Sequence, residues 1–177
     1  MSGDDEDRNR VFDDEHPGPP VLESALTNTV LSEVVSQPAL TVSASTTLAD
    51  AIHLMQKERR ACVLIMENDR LAGIFTERDV LMKVAGQPLD LIHTPVSVSM
   101  TADPFTLPAD ANVAFALNKM VLEGFRHIPL VDVAGRPTAV VSMRNVIEYL
   151  GEIYSREMLT VPSDPNQHHR YKSREGA

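Results

Sequence analysis

Hydrophobic residues follow two kinds of spacing along the chain, one typical of helices and one typical of strands. At 48–55 they recur at i, i+3, i+4 and i+7, the pattern of an amphipathic helix. Apolar runs at 61–66 and 71–75 flank a polar pair and predict a strand–turn–strand hairpin. A short apolar segment at 40–42 precedes the first helix, and a second helical pattern begins at Thr76. The predicted order is therefore strand, helix, strand, strand, helix.

The same order recurs in the second half of the chain. The apolar positions of 40–42 and 48–55 reappear at 105–107 and 113–120, and those of 73–79 reappear at 139–145. The second set of elements is expected at about 104–107, 111–123, 127–133, 136–141 and 143–153. Each repeat is too small to cover its own sheet. We therefore predict an α+β fold in which the two repeats pack as a pseudo-two-fold pair, with clefts along their seam.

Outside the repeats the chain is polar. Residues 1–23 contain eight acids and two bases with no apolar period, and we expect a disordered acidic arm there. The predicted division of the chain is the arm at 1–23, the first repeat with its connecting segment at 24–92, the second repeat at 93–154 and a flexible tail at 155–177.

Composition narrows the functional classes. The net charge is −9 and no basic stripe occurs, which argues against nucleic acid as a partner. No apolar run approaches the roughly 18 residues of a membrane span, and the N terminus has no signal-peptide pattern. We therefore expect a cytoplasmic protein with no membrane partner. Cys62, the single cysteine, lies in a predicted strand and is expected to be a small buried hydrophobe.

The most informative polar residues lie where the last strand of each repeat runs into a helix. Thr76 and Asp79 stand three residues apart in the first repeat, as do Ser142 and Asn145 in the second. A hydroxyl beside a carboxylate or amide suits the adjacent hydroxyls of a ribose, and the helix N terminus adds positive potential. The same spacing is that of a capping box, which only satisfies helix N–H groups. The two interpretations are compatible, and the residues alone leave both open.

Other chemistry finds no support in the sequence. His53 and His93 have no cysteine or carboxylate at metal-ligand spacing, and no Gly-rich phosphate loop occurs. Asp79 has no companion that would act as an acid or a nucleophile. We therefore predict no catalytic residues, no metal site and no enzymatic activity.

Three segments of the chain, 73–79, 126–131 and 140–145, resemble the CBS domain family. The resemblance covers about residues 27–153 and includes both repeats, so the chain is similar to a tandem CBS pair, or Bateman module. It implies a regulatory ligand between the repeats, because many members of this family bind AMP, ADP, ATP or S-adenosylmethionine, while others have no known ligand. It also implies a homodimer, and output to a separate effector protein.

The resemblance assigns roles to the junction residues. Thr76 and Asp79 match the ribose-contacting hydroxyl and carboxylate of the first site, and Ser142 and Asn145 match those of the second. Asn145 departs from the usual Asp and loses its charge. The first repeat is therefore expected to hold the better site.

Phosphate contacts are implied for four basic residues. Arg78 and Arg144 lie where related kinase subunits place a basic residue near phosphate. Arg126 and His127 resemble a pair that reaches phosphates in those subunits, and a solvated surface charge is the alternative for each arginine. Family clefts take residues from both repeats, so Arg126 and His127 are assigned hypothetically to the cleft of Asp79.

The expected function is a non-catalytic regulatory module that binds an adenine nucleotide or adenosyl ligand and signals to a partner by conformational change. Strand residues at 40–42 and 63–65 are candidates for an adenine slot, with ordinary core as the alternative. The alternative function is a ligand-independent dimerisation or protein-interaction module. It would use apolar residues of the helices near 80–84 and 146–150.

Overall fold

The computed structural model describes residues 21–35 and 37–160 and contains six α-helices and six strands within them. The helices are α1 (Val21–Asn28), α2 (Leu31–Val34), α3 (Leu48–Lys57), α4 (Glu77–Asp79), α5 (Val113–Glu123) and α6 (Met143–Thr160). The strands are β1 (Thr41–Ser43), β2 (Cys62–Glu67), β3 (Arg70–Thr76), β4 (Thr101–Ala102), β5 (His127–Val131) and β6 (Pro137–Ser142). A π-helix at Val80–Val84 continues α4, and a 3-10 helix lies at Val96–Val98. The α+β class and the two matching helix–strand–strand–helix units are confirmed.

The strand register brings the end of each hairpin beside its start. In the first sheet β1 runs parallel to β2, and β2 runs antiparallel to β3 with Cys62 opposite Thr76. In the second sheet β5 runs antiparallel to β6 with His127 opposite Ser142. Because those two pairs are equivalent, each repeat places one side chain of its first hairpin strand next to its strand-to-helix junction.

The first strand predicted for the second repeat, at 104–107, is wrong. Leu107 makes a single parallel bridge to Leu130, and the strand that does form is β4, which pairs with β3 of the first repeat. Pro104 and Pro108 flank this segment. Proline has no N–H to donate to a ladder, so pairing stops at one bridge.

The boundaries predicted for the terminal segments also need correction. Helix α1 begins at Val21, inside the predicted arm, because Leu26 of this helix packs against the core of the second repeat. Helix α6 continues to Thr160, inside the predicted tail. The predictions for 1–20 and 161–177 lie outside the described residues.

The core of each repeat is completed by a short crossover segment from the other repeat. In sequence, that segment lies at the start of the repeat to which it belongs. Leu31 is fully buried in the core of the second repeat, and its N–H donates to the carbonyl of Ala111 (2.8 Å). Val96, at the equivalent position of the second repeat, is fully buried in the core of the first repeat, and its N–H donates to the carbonyl of Thr46 (2.7 Å). Neither repeat therefore closes its core with its own residues alone, and the predicted boundary at 92/93 separates each crossover segment from the core that it completes.

A third, smaller cluster joins the two sheets at the seam. It consists of buried Cys62, Leu64, Ile74 and Val140. A bridge between Pro38 and Ala139 ties the start of the first repeat to β6. Within the described residues, none of the helices has the combination of length and hydropathy that a membrane span requires.

Candidate functional site

Both strand-to-helix junctions form the capping box that their spacing predicts. Asp79 accepts hydrogen bonds from the Thr76 hydroxyl (2.7 Å) and backbone N–H (2.9 Å) through Oδ2. Asn145 accepts the corresponding bonds from the Ser142 hydroxyl (2.6 Å) and N–H (2.9 Å) through Oδ1. The local interpretation of the motif is thus confirmed in both repeats. The second carboxylate oxygen of Asp79 and the amide nitrogen of Asn145 are left for other partners.

In the first repeat that second oxygen is already occupied. Lys83 places its ammonium 2.7 Å from Oδ1 of Asp79 and also donates to the carbonyls of Ser99 (3.1 Å) and Met100 (3.3 Å). The Thr101 hydroxyl approaches the same carboxylate oxygen at 3.4 Å. Burial acts to raise the pKa of Asp79, but the hydrogen bonds from Lys83 and Thr76 and the lysine charge outweigh it and lower the pKa below 3.8. Asp79 is therefore an ionised, internally neutralised group.

Met100 lies next to this junction, with its carbonyl bonded to Lys83 and its side chain packed over Gly73 of β3 and against the first core. A Cβ atom at Gly73 would collide with Sδ of Met100, so the thioether lies directly over the glycine. Asp79 is 7% exposed, and neither it nor Thr76 lines the cavity that lies between the two repeats. The sequence favoured this repeat because it keeps an acid, but the structure places the open cavity at the other junction.

The open cavity lies between the repeats at the Ser142–Asn145 junction and has a volume of about 540 Å³. That volume falls within the range of small-molecule sites. Its lining residues come from both repeats: Val35, Gln37, Arg59, Arg60, Ala61, Cys62, Glu77, Arg126, His127, Val140, Ser142, Met143, Arg144, Asn145 and Glu148.

Two equivalent positions near the junctions carry different side chains in the two repeats. Val35 lines the cavity at the position equivalent to Met100, and it is a shorter side chain. Tyr149 stands at the position equivalent to Lys83, and its hydroxyl is 2.5 Å from that of Thr29. Asn145 consequently has no ammonium over it, and among the described residues its amide nitrogen makes no hydrogen bond. The amide presents N–H donors to the cavity.

The charge around the cavity is predominantly positive. Four arginines, Arg59, Arg60, Arg126 and Arg144, oppose the two glutamates Glu77 and Glu148. Arg60 donates to Oε1 of Gln37 (2.7 Å) and to the carbonyl of Pro38 (2.8 Å), which holds the start of the first repeat at the cavity wall. The net positive charge, close to neutral amide and hydroxyl groups, suits an anionic ligand with sugar hydroxyls.

His127 contributes as a neutral ring. Burial lowers its pKa below 6.5, Arg126 lowers it further, and Glu77 opposes both. At neutral pH the imidazole therefore carries one donor and one acceptor nitrogen rather than a positive charge.

The structure brings together five of the eight predicted site residues. Arg126, His127, Ser142, Arg144 and Asn145 line the cavity. The residues Thr76, Arg78 and Asp79 do not. Arg126 and His127 therefore line the same cavity as Asn145, whereas Asp79, to whose cleft they were hypothetically assigned, does not line it.

Sequence reasoning missed Arg59 and Arg60. The available signal for a basic cavity wall was the pair of consecutive arginines shortly before β2. The pair does not align with Arg126 and His127, because the positions that match those residues are Ala61 and Cys62. Cys62 lines the cavity wall, yet it is 5% exposed and burial raises its pKa to about 11, against a smaller lowering effect of Arg60. Its predicted role as a buried hydrophobe is confirmed. The segments 40–42 and 63–65, proposed for adenine, do not line the cavity.

Duplication, reciprocal crossover and a shared cavity define a two-repeat protein that holds a ligand-sized space at its seam. The chain belongs to the CBS domain family, whose model matches residues 31–86 and 96–152. It is 43% identical over 95 residues to a CBS domain-containing protein of Arabidopsis thaliana, a match that covers 53% of this chain and 17% of that protein. The chain thus spans about a sixth of the length of this plant relative.

Two solved structures share the fold. A CBS-domain protein from Burkholderia ambifaria superimposes with a TM-score of 0.64 at 26% identity, covering 69% of this chain and 93% of that one. A CBS domain protein from Pyrobaculum aerophilum, solved in complex with AMP, superimposes with a TM-score of 0.63 at 25% identity, covering 72% of this chain and 99% of that one.

Proposed function

We propose that the chain is a non-catalytic regulatory module that binds one adenine nucleotide in the cavity at Ser142 and Asn145. The main supporting observation is that Ser142 and Asn145 line an open cavity of about 540 Å³ together with arginines of both repeats. In this arrangement the ribose hydroxyls meet Ser142 and Asn145, and the phosphates meet the arginines. The AMP complex of the Pyrobaculum aerophilum relative supports the same ligand class.

The charge of the lining favours AMP, ADP or ATP over S-adenosylmethionine. Phosphate groups complement four arginines and form charge-assisted, bidentate bonds with guanidinium groups. The sulfonium of S-adenosylmethionine is a cation and would meet the same arginines with repulsion. We therefore expect phosphorylated adenosine to be the preferred adenosyl ligand.

The proposed signalling step follows from the fact that residues of both repeats line the cavity. Arg59 and Arg60 belong to the first repeat, whereas Arg126, Ser142 and Asn145 belong to the second. A nucleotide that contacts both sides binds best when the repeats are close, so it shifts the population toward the closed form. A separate effector protein would read that change.

Calorimetry with AMP, ADP, ATP and S-adenosylmethionine tests the proposal, using two pseudo-symmetric variants. Ser142→Ala and Thr76→Ala each remove one capping hydroxyl and each cost about 1 kcal/mol of stability. Only Ser142 lines the cavity. We expect Ser142→Ala to weaken nucleotide binding about tenfold or more and Thr76→Ala to leave it within twofold. Equal loss in both variants, or no binding by the unaltered protein, would contradict the proposal.

Exposed apolar residues favour a second candidate function, a dimerisation and protein-interaction module. Leu81 and Ile147 occupy equivalent positions on the helices after the two hairpins and are 69% and 60% exposed, and Met82 beside Leu81 is 66% exposed. Single exposed apolar residues are ordinary, but a pair related by the internal symmetry suits a symmetric homodimer. Sedimentation with and without ATP separates the candidates, because the interaction-only module would dimerise without responding to nucleotide.

A further inference from the structure

Arg59, at the end of α3, adopts a backbone conformation that L-residues rarely take. Its φ is +51°, in the left-handed region. Its N–H donates to the carbonyl of Gln56 (3.2 Å), and the N–H of Arg60 donates to the carbonyl of Met55 (2.9 Å). These two bonds form a Schellman motif, in which the left-handed residue is usually glycine.

In the second repeat the equivalent helix, α5, ends at a left-handed glycine. Gly124, the residue equivalent to Arg59, ends α5 with a φ of +73° and has no heavy atom within 4 Å of a Cβ built on it. The left-handed conformation strains a residue that carries a Cβ, because the Cβ crowds the following carbonyl oxygen. Both Schellman bonds use backbone atoms only, so a glycine at 59 would make them equally well. The backbone therefore gives no reason for an arginine at this position.

The side chain of Arg59 supplies a reason. It lines the cavity together with Ser142 and Asn145 of the other repeat. Among the residues that the structure describes, its guanidinium makes neither a hydrogen bond nor an ion pair, whereas Arg60 beside it is held by Gln37 and Pro38. A strained residue at a cavity with a free charged group is a sign of a functional constraint.

We propose that Arg59 is a phosphate-contacting residue of the nucleotide cavity, kept in a strained turn because its guanidinium is needed there. This inference rests on the proposed function for the kind of ligand. It assigns the first repeat a specific part in recognition, since Arg59 reaches from that repeat toward the ligand held at Asn145. Adenosine, which lacks phosphate, does not use Arg59.

The test replaces Arg59 with the residue that the second repeat uses. Relief of strain in Arg59→Gly should raise the melting temperature by about 2–4 °C. The same variant should weaken ATP binding about tenfold and leave adenosine binding unchanged. Arg70→Ala is the charge-matched control, because Arg70 is exposed at the start of β3 and does not line the cavity. Replacing a residue with a purely structural role would not raise the melting temperature and weaken ATP binding at the same time.

Inorganic tripolyphosphate as a second probe separates failure of this inference from failure of the proposed function. If the unaltered protein binds ATP and Arg59→Gly binds it equally well, the role of Arg59 is refuted and the function stands. If tripolyphosphate binds, ATP does not, and Arg59→Gly weakens tripolyphosphate binding, Arg59 is supported and the nucleotide function is refuted. Binding of neither probe refutes both. An unchanged or lower melting temperature in Arg59→Gly refutes the strain on which the inference depends.

Discussion

Asp79 and Asn145 occupy equivalent positions at the two junctions but have different surroundings. Both close a capping box with the same three local hydrogen bonds. The remaining oxygen of Asp79 is an anion, and it holds Lys83 at 2.7 Å. The remaining group of Asn145 is a neutral amide, which attracts no such partner. The acid that makes the first junction resemble a ligand site is also the group that Lys83 neutralises.

Asp79→Asn should make the stability of the fold less dependent on pH. Because the pKa of folded Asp79 lies below 3.8, the carboxylate stabilises the fold at higher pH, and this contribution is lost as pH falls through the folded pKa. At pH 7 we expect the variant to lose about 1–3 kcal/mol of unfolding free energy, because Lys83 loses its charged acceptor. The difference from the unaltered protein should shrink below about pH 4. Urea unfolding at pH 7 and pH 3 measures both values.

Asp69→Asn is the control for that titration. Asp69 is exposed in the turn between β2 and β3 and has a φ of +61°, a conformation that Asn also tolerates. We expect its stability to match the unaltered protein at both pH values. A difference for Asp79→Asn that stays constant from pH 7 to pH 3 would show that the carboxylate charge does not stabilise the closed cleft.

At the scale of elements, the crossover segments are the main feature that couples the repeats. The carbonyl of Thr29 accepts from the N–H of Val113, and the carbonyl of Thr94, its equivalent, accepts from the N–H of Leu48 (2.9 Å). The bridges Val30–Asn112 and Thr47–Pro95 are equivalent in the same way. Helices α5 and α3 therefore each begin against a segment that leads into the opposite repeat. The crossover segments therefore connect each core to the other repeat.

Leu31→Ala should loosen the second repeat although residue 31 lies at the start of the first. Leu31 is fully buried among residues of the second core, so its truncation should cost about 2–5 kcal/mol. Hydrogen exchange followed by mass spectrometry should show faster exchange in β5 and β6 than in β2 and β3. Leu81→Ala, at a side chain that is 69% exposed, is the control and should change stability by less than about 0.5 kcal/mol. Faster exchange confined to β2 and β3 would contradict the crossover.

At the scale of the whole molecule, the sequence predicted the parts that depend on local pattern. The internal repeat located the hairpins, the long helices and both strand-to-helix junctions, because apolar periodicity and capping are read within a few residues. The sequence favoured the first repeat for the better ligand site, whereas the cavity between the repeats is lined by the junction of the second, because cavity lining depends on tertiary packing. Met100 and Val35 occupy equivalent positions, but Met100 packs over Gly73 whereas Val35 lines the cavity. The sequence spacing of these residues from the junctions does not reveal that difference.

One nucleotide per chain is the stoichiometry that this asymmetry predicts. Asp79 is 7% exposed and its carboxylate is neutralised by Lys83, so equilibrium dialysis with radiolabelled ATP should saturate at one site. A variant that carries Lys83→Tyr and Met100→Val reproduces the side chains of the open junction and should admit a second, weaker ligand. The added site should depend on Asp79, because Asp79→Ala in that background removes its sugar-recognising carboxylate and should return the value to one. Saturation at two sites by the unaltered protein would mean that nucleotide displaces Lys83, and the closed state of the first cleft would then be only one of its populated forms.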